Sequence, residues 1–294
     1  MDQNQTEIWT VLRLVEWGTG YFRKKRVDSP RLTIELMLAH ALDLKRFDLY
    51  MQYDRPLLED ELTALRGMIK RRSAGEPLQY ILGEAHFHGH VFQVRPGVLI
   101  PRPETELLVD EAMRRTQPLR CLDVGTGSGC IAITVALQHL ETEVLAIDIS
   151  DDALDIARDN AKALGAMHID FRNLDIFDNT AIRAIGSFDL VISNPPYIAD
   201  PDLKDLQTEV RDHEPHIALS DGGDGLRFYR RLAELGPHLL RKKGEMFLEL
   251  GYDQAGPVRN LFETQGFQVE IYKDFEKNER ILRAHYPEKI QGVL

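Results

Sequence analysis

Asn194-Pro195-Pro196-Tyr197 brings together residue types able to hold a reluctant nitrogen nucleophile. The lone pair of an amide or aromatic amine is delocalised. Such a nitrogen attacks an electrophile only when its N–H groups are held and its lone pair is aimed. An Asn side-chain carbonyl accepts one N–H, and a neighbouring backbone carbonyl, here that of Pro195, accepts the other. Proline stiffens this segment and removes a competing donor. Tyr197 offers a planar face to a flat substrate group. Hydrogen bonds that strengthen as the nitrogen pyramidalises favour the transition state over the ground state. Positioning alone contributes about 7–11 kcal/mol in a near-attack geometry. Neither a metal nor a strong general base is required. The plain alternative is a turn, because Asn-Pro and Pro-Pro end regular structure. Against it stands the place of the tetrapeptide, directly after the apolar run 188–193.

A second constellation lies upstream. Asp123-Val124-Gly125-Thr126-Gly127-Ser128-Gly129 closes the apolar run 119–124. Glycines allow a tight turn and close approach of a ligand. The spacing is G-x-G-x-G, not the G-x-G-x-x-G of a dinucleotide site. A pyrophosphate wants an open helix N-terminus, whereas the acid Asp123 suits a cationic ligand carrying an ammonium and a sulfonium. Asp148, 19 residues after Gly129 and followed by Ile149, ends the next apolar run. An acid there accepts hydrogen bonds from a ribose diol. Asp175 could accept from an adenine amine, with Ile176 against the ring. Taken singly, these features also fit a structural turn or helix-capping acids. Ser150 or Asp151 can cap the following helix, however, which frees Asp148. Together and in this order they point to S-adenosylmethionine. The residues expected around it are Asp123, Gly125, Thr126, Gly127, Ser128, Gly129, Asp148, Ile149, Asp175 and Ile176.

The elements that must position these residues follow from periodicity. Runs at 119–124, 143–149, 168–171, 188–193, 245–250, 268–272 and 280–285 read as strands. Helices are expected over 130–140, 151–164 and 226–240, the last ended by Lys242-Lys243-Gly244. Alternation of strand and helix implies a parallel sheet covered on both faces, with ligands beyond the carboxyl ends of its strands. Residues 6–75 read as helices. One covers 6–23 with Ile8, Val11, Leu12, Val15 and Phe22 on one side. A second starts at Asp28-Ser29-Pro30, and a third covers 57–69 after Pro56. Residues 84–95 resemble a β-hairpin centred on Gly89. His86, His88 and His90 alternate there with no second ligand cluster nearby, so they read as surface and turn histidines and no metal is expected. Pro96-Gly97 and Pro101-Arg102-Pro103 mark a linker. The division expected is a helical domain over 1–83, hairpin and linker over 84–103, and an α/β catalytic domain over 104–294.

Composition narrows the class. The chain has 294 residues, 43% hydrophobic and 28% charged, which excludes a largely disordered or low-complexity protein. No apolar run approaches the roughly 20 residues of a membrane helix, so no membrane partner is expected. The first ten residues, MDQNQTEIWT, lack the features of a secretory signal. Cys121 and Cys130 sit in apolar segments and read as buried thiols, for which a reducing cytoplasm is the expected home. The net charge is −11, and residues 101–294 carry 34 acidic against 22 basic side chains. Such a surface repels a phosphate backbone, so nucleic acid is not expected as the direct substrate.

With residues 125–129, the tetrapeptide resembles the signature of S-adenosylmethionine-dependent amino methyltransferases. That signature is shared by adenine-N6 nucleic-acid enzymes and glutamine-N5 protein enzymes. Further segments are similar to the HemK/PrmC family of peptide-chain release factor glutamine methyltransferases. They are Ile100-Pro101-Arg102-Pro103-Glu104-Thr105-Glu106, Glu76-Pro77-Leu78-Gln79-Tyr80-Ile81-Leu82-Gly83, Leu219-Ser220-Asp221-Gly222-Gly223-Asp224-Gly225-Leu226 and Asn278-Glu279-Arg280. The likeness covers nearly the whole chain. It implies a seven-stranded, Rossmann-like methyltransferase domain behind a small helical substrate-docking domain. It also implies methylation at N5 of the glutamine in the Gly-Gly-Gln motif of class-1 release factors. Asn194 and the Pro195 carbonyl would hold the glutamine amide beside Pro196 and Tyr197. Gly125, Asp148 and Asn194 would face the cofactor, and Arg102, Glu104 and Thr105 would shape the substrate mouth. Some relatives carry Trp where this chain has Ile176. For residues 103–106 the other reading is a helix start with Glu104 and Glu106 in its first turn. The rival functions are a ribosomal-protein glutamine methyltransferase, an adenine-N6 nucleic-acid methyltransferase and a non-catalytic binding module.

Overall fold

Apolar residues spaced three to four apart dictate the helices of the first unit. A computed structural model describes residues 8–287, and the elements below are those of the described residues. Five helices occupy the stretch up to Gly83: α1 (Val11–Lys24), α2 (Pro30–Ala41), α3 (Arg46–Tyr50), α4 (Glu59–Ser73) and α5 (Leu78–Leu82). Val11, Val15, Phe22, Ile34, Met37 and Leu65 meet in their common core. The first helix starts later than its spacing predicts. Thr10 caps it by accepting from Arg13 N at 3.3 Å, and Thr10 also pairs with Pro56 in an isolated bridge. Ile8 therefore lies outside the helix and is exposed; Thr6 lies outside the described residues. Pro56 belongs to that bridge, and α4 begins at Glu59, where Glu61 Oε2 accepts the Leu58 N–H at 2.8 Å.

The second unit begins at Glu84. Strands β1 (Glu84–Phe87) and β2 (His90–Gln93) form the hairpin. His88 and Gly89 turn it at φ of 51° and 78°, the two-residue geometry that matches strand twist. The hairpin is not a free linker. Phe87 and Phe92 are fully buried in one core with residues of α6 (Pro103–Arg115) and α7 (Cys130–Gln138). Each such burial contributes about 1.5–3 kcal/mol. Asn160 fastens the hairpin further, accepting from Gln93 N at 2.7 Å and donating to Gln93 O at 3.0 Å. The His88 ring lies 2.9 Å from Asp110 Oδ1. Among the described residues no group of three or more His, Cys, Asp or Glu could hold a metal ion.

Seven strands form the main sheet: β3 (Arg120–Val124), β4 (Glu143–Asp148), β5 (Asp170–Asn173), β6 (Phe188–Ser193), β7 (Leu240–Glu249), β8 (Gln268–Lys273) and β9 (Glu279–His285). Their order is β5-β4-β3-β6-β7-β9-β8. Between them run α8 (Asp151–Leu164), α9 (Asn179–Ala184), α10 (Thr208–His213), α11 (His216–Leu219), α12 (Arg227–Leu239) and α13 (Ala255–Thr264). Alternate residues serve the two faces. Leu122, Val124, Val191 and Met246 enter one core; Cys121, Leu190, Ile192 and Phe247 enter the other. Both cysteines are free and buried.

Three expectations are corrected. The sheet is not wholly parallel, because β9 runs antiparallel to β7 and β8. The short 274–278 turn, held by Asp274 Oδ1 accepting from Asn278 N at 2.8 Å, leaves no room for a helical crossover. Lys242-Lys243-Gly244 does not separate helix from strand. The helix ends at Leu239, β7 starts at Leu240, and the three residues form an irregularity within it, with Lys243 at φ 69°. Finally, β5 is shifted two residues along, because its pairing with β4 runs from Asp170 to Asn173.

Candidate active site

Chain order reverses at β3, which lies between β4 and β6, and this opens a crevice at the strands' carboxyl ends. Val124 pairs with Ser193 across β3 and β6, and Ser193 Oγ donates to Val124 O at 2.7 Å. The glycine turn and the tetrapeptide therefore leave the sheet side by side. A cavity of about 410 Å³ lies between them, within the range of small-molecule sites. Gly125, Gly127, Asp148, Ile149, Asp175 and Ile176 line it, as do Asn194, Pro195 and Pro196.

The lining fits S-adenosylmethionine. A Cβ added at Gly125 or Gly127 would meet no atom within 4 Å, so bare backbone faces open space where a ligand can lie close. Asp148 Oδ2 accepts from Gly127 N at 2.9 Å and Oδ1 from Ser150 N at 3.0 Å. Burial pushes its carboxyl above the ordinary range, while those backbone donors pull it down. Two further lone-pair positions remain for a diol. Ser150 Oγ caps α8 by accepting from Ala153 N at 3.2 Å, so the capping task does fall to Ser150. Asp175 Oδ1 accepts from Phe177 N at 2.9 Å. Ile176 is buried, and its neighbour Phe177 also lines the cavity. The Arg227 guanidinium stacks 4.3 Å from the Phe177 ring centre, and the Phe228 ring meets it edge-on at 5.3 Å.

Asp123, Thr126, Ser128 and Gly129 are not among the residues lining this cavity. The expectation that Asp123 meets a cation directly is corrected. Its side chain is fully buried behind the turn, and Oδ2 accepts from Thr126 Oγ1 at 2.7 Å and Ala132 N at 3.1 Å. Oδ1 has no partner among the described residues, and burial pushes the carboxyl up to about 7. Thr126 is thus a clasp on Asp123, and Gly129 is the contact between the turn and α8.

A second cavity, of about 350 Å³, adjoins the first and shares Leu99, Asn194 and Ala218 with it. Arg102, Glu104, Tyr197, Glu249 and Arg280 line it. Thr105 does not, which corrects its place in the substrate mouth. Pro103 and Glu104 open α6, as the helix-start reading has it, and that turns Thr105 inward, where it is 2% exposed. There Asn194 Nδ2 donates to Thr105 Oγ1 at 3.0 Å, and Thr105 Oγ1 donates to Glu249 Oε2 at 2.6 Å. The Tyr197 hydroxyl donates to Glu249 Oε1 at 3.4 Å. Burial pushes the Glu249 carboxyl up to about 7 and also raises the Tyr197 phenol, which stays neutral. Arg102 pairs at 2.5 Å with Glu214, whose other oxygen accepts from Ile100 N at 3.1 Å.

Several of these residues were not singled out from the sequence. Glu249 ends β7 as Asp148 ends β4, and that shared position was the available signal. Asp221 lies within residues 219–226, where no local sequence signal marks its role. Its Oδ1 accepts from Gly223 N and Gly225 N, and its Oδ2 from Arg227 N. The loop it folds braces the tetrapeptide: Ile198 N donates to Leu219 O at 3.0 Å. Gln254 Nε2 donates to Tyr197 O at 2.8 Å. At Gly225, with φ of 78°, a Cβ would overlap that same Tyr197 carbonyl.

The chain is similar to known proteins along most of its length. A family model described as the PrmC N-terminal domain matches residues 13–83, and the methyltransferase small domain matches residues 103–224. The chain is 43% identical over 286 residues to the release factor glutamine methyltransferase of Chlorobaculum tepidum, covering 94% of this chain and 97% of that one. It is 43% identical over 264 residues to the release factor glutamine methyltransferase of Geobacter sulfurreducens, covering 89% and 91%. A solved structure, the release factor-specific protein-(glutamine-N5) methyltransferase from Alicyclobacillus acidocaldarius, is 34% identical. It covers 67% of this chain and is itself covered fully, 100%, at a TM-score of 0.41.

Proposed function

The chain belongs to the release factor glutamine methyltransferases, and on that premise we propose that it methylates N5 of the glutamine in the Gly-Gly-Gln motif of class-1 peptide-chain release factors. The observation that most supports this reading is the meeting of two cavities at Asn194. The larger takes S-adenosylmethionine, held by Gly125, Gly127, Asp148, Asp175 and the apolar wall of Ile176 and Phe177. The smaller takes the glutamine side chain. When bound, the cofactor supplies an electrophilic methyl carbon on a sulfonium, whose C–S electron pair stays with sulfur as the new N–C bond forms.

The chain's own residues do the rest by position. Asn194 Oδ1 accepts one amide N–H and the Pro195 carbonyl accepts the other, which turns the nitrogen lone pair toward the larger cavity. As the nitrogen pyramidalises its N–H groups become more acidic and both bonds tighten. One amide proton leaves to water after the N–C bond has formed. Tyr197, anchored through its carbonyl to Gln254 and through its hydroxyl to Glu249, walls the smaller cavity. The acidic excess of residues 101–294 favours a protein over a nucleic-acid substrate. Among the described residues no helix is long and apolar enough to cross a membrane. A release-factor substrate supports a reaction in the cytoplasm. Docking of the release factor falls to the helical unit.

The test is mass spectrometry of purified release factor after incubation with enzyme and cofactor, beside a ribosomal-protein control. A methyl on the Gly-Gly-Gln side chain is expected. Asn194→Ala should lower kcat by about 10²–10³-fold, the usual effect of losing one polar contact made in the transition state. Near-normal turnover would remove Asn194 from the mechanism.

A further inference from the structure

The two ends of the Asn194 carboxamide are almost the same size, yet only one suits an N–H-bearing acceptor. Oxygen toward the smaller cavity accepts the acceptor's N–H; nitrogen toward it sets donor against donor. We infer that Thr105 and Glu249 are positioning residues that choose between these orientations and thereby make the site select a carboxamide. The inference rests on the role given to Asn194 above and adds the device that enforces it.

The argument follows the protons. Asn194 Nδ2 is 3.0 Å from Thr105 Oγ1. A threonine hydroxyl both donates and accepts, so Thr105 alone would satisfy either end of the amide. Its single proton is committed elsewhere, to Glu249 Oε2 at 2.6 Å. An ionised carboxylate cannot donate. Thr105 can then only accept from Asn194, and Asn194 Oδ1 is left for the cavity. Thr105 and Glu249 are each 2% exposed, so little of either faces bulk water. The Tyr197 hydroxyl donates to the second carboxylate oxygen, so Glu249 is an acceptor at both ends.

The same chain of protons can be reversed. The groups facing Glu249 are Thr105 and Glu104 of α6, Tyr197 after β6, Arg280 of β9, Cys130 of α7, and Tyr229 of α12, whose hydroxyl donates to the Glu249 carbonyl at 2.8 Å. Burial opposes the Glu249 charge most and Glu104 adds to that, while Thr105, Arg280 and Tyr197 favour it; the carboxyl stands at about 7. Once protonated, Glu249 donates to Thr105, the Thr105 proton turns to Asn194, and the amide presents its NH₂ to the cavity. Turnover should therefore fall on the acid side.

The test uses the full chain, S-adenosylmethionine and purified release factor. Thr105→Val keeps the shape and removes the hydroxyl; Thr105→Ser keeps the hydroxyl. Thr105→Val should lower kcat by about 100-fold, the scale of a small misplacement at a reacting centre, with cofactor affinity unchanged by calorimetry. Thr105→Ser should stay within about threefold of wild type. A release factor whose target glutamine is replaced by glutamate should compete better, relative to the glutamine protein, against Thr105→Val than against wild type, because a turned amide can donate to a carboxylate. Wild-type kcat should show an acid limb that Glu249→Gln lacks. Wild-type turnover in Thr105→Val, or an acid limb persisting in Glu249→Gln, overturns the inference. Should Thr105→Val fail to fold, seen as lost cofactor binding, the Glu249→Gln profile decides. A wild-type enzyme that leaves the release factor unmethylated overturns the proposed function, and this inference with it. One that methylates the release factor while either overturning result appears sinks the inference alone.

Discussion

Replacing Asp148 by alanine tests the cofactor site most directly. Its two oxygens already accept from Gly127 N at 2.9 Å and Ser150 N at 3.0 Å. A carboxylate offers about four lone-pair positions, so two remain, the number a ribose diol needs. Hydrogen bonds to a charged acceptor contribute about 1.5–3 kcal/mol each. Losing two weakens binding by about 3–6 kcal/mol, or roughly 10²–10⁴-fold in Kd at about 1.4 kcal/mol per decade. Asp148→Asn should fall between wild type and alanine. It keeps one acceptor, but its NH₂ must face a backbone N–H of Gly127 or Ser150. Titration calorimetry with S-adenosylmethionine reads the affinity, and a thermal melt without cofactor shows whether the turn survives. A folded Asp148→Ala chain whose affinity stays within about fivefold of wild type, a difference of about 1 kcal/mol, refutes the assignment.

Gly129→Ala should destabilise the fold instead. Its Cβ would lie 2.9 Å from Ile133 Cδ1 and 3.1 Å from Ala157 Cβ at φ of 82°. Crowding of this kind typically costs about 1–3 kcal/mol and a left-handed backbone about 1–2 more; an unchanged urea midpoint would contradict it. Arg102→Ala should strand Glu214, whose side chain is 1% exposed. Removing one partner of a buried pair costs about 3–5 kcal/mol, and the lower end applies because Arg102 is partly exposed; equal denaturation curves would show that Glu214 does not depend on it. Asp123 keeps its proton in the native state up to about 7 against an ordinary 3.8. The unfolded chain binds fewer protons in that window, so this group's contribution to stability is complete at low pH and is lost as pH rises through 7. Asp123→Asn should accordingly flatten the decline of Tm between pH 4 and 7; a parallel decline in both proteins would refute the burial account.

The strands that carry the site were legible because each is a short apolar run closed by an acid or by Asn-Pro. Phe188–Ser193 and Asp151–Leu164 stand where periodicity puts them. Errors gathered where a local signal competes with a partner distant in sequence. Lys242-Lys243-Gly244 has the composition of a turn, but pairing with β6 extends β7 through it. Ile8 continues the apolar spacing of α1, but the bridge to Pro56 starts the helix later. Asp123 looks like a ligand acid in a motif, and only the tertiary fold shows its carboxyl turned inward toward Thr126 and Ala132. Thr105 and Glu249 are separated by 144 residues along the chain, so no spacing rule could have joined them.

The hairpin at 84–93 is wedged into the core of the second unit by Phe87 and Phe92 and clamped through Asn160. The natural seam of the chain therefore falls before Glu84 and not at the proline-rich stretch that follows. A different N-terminal unit joined to this α/β body would have to be spliced ahead of that stopper. A splice at Pro103 would pull both phenylalanines out and leave a hole in the core they share with α6 and α7.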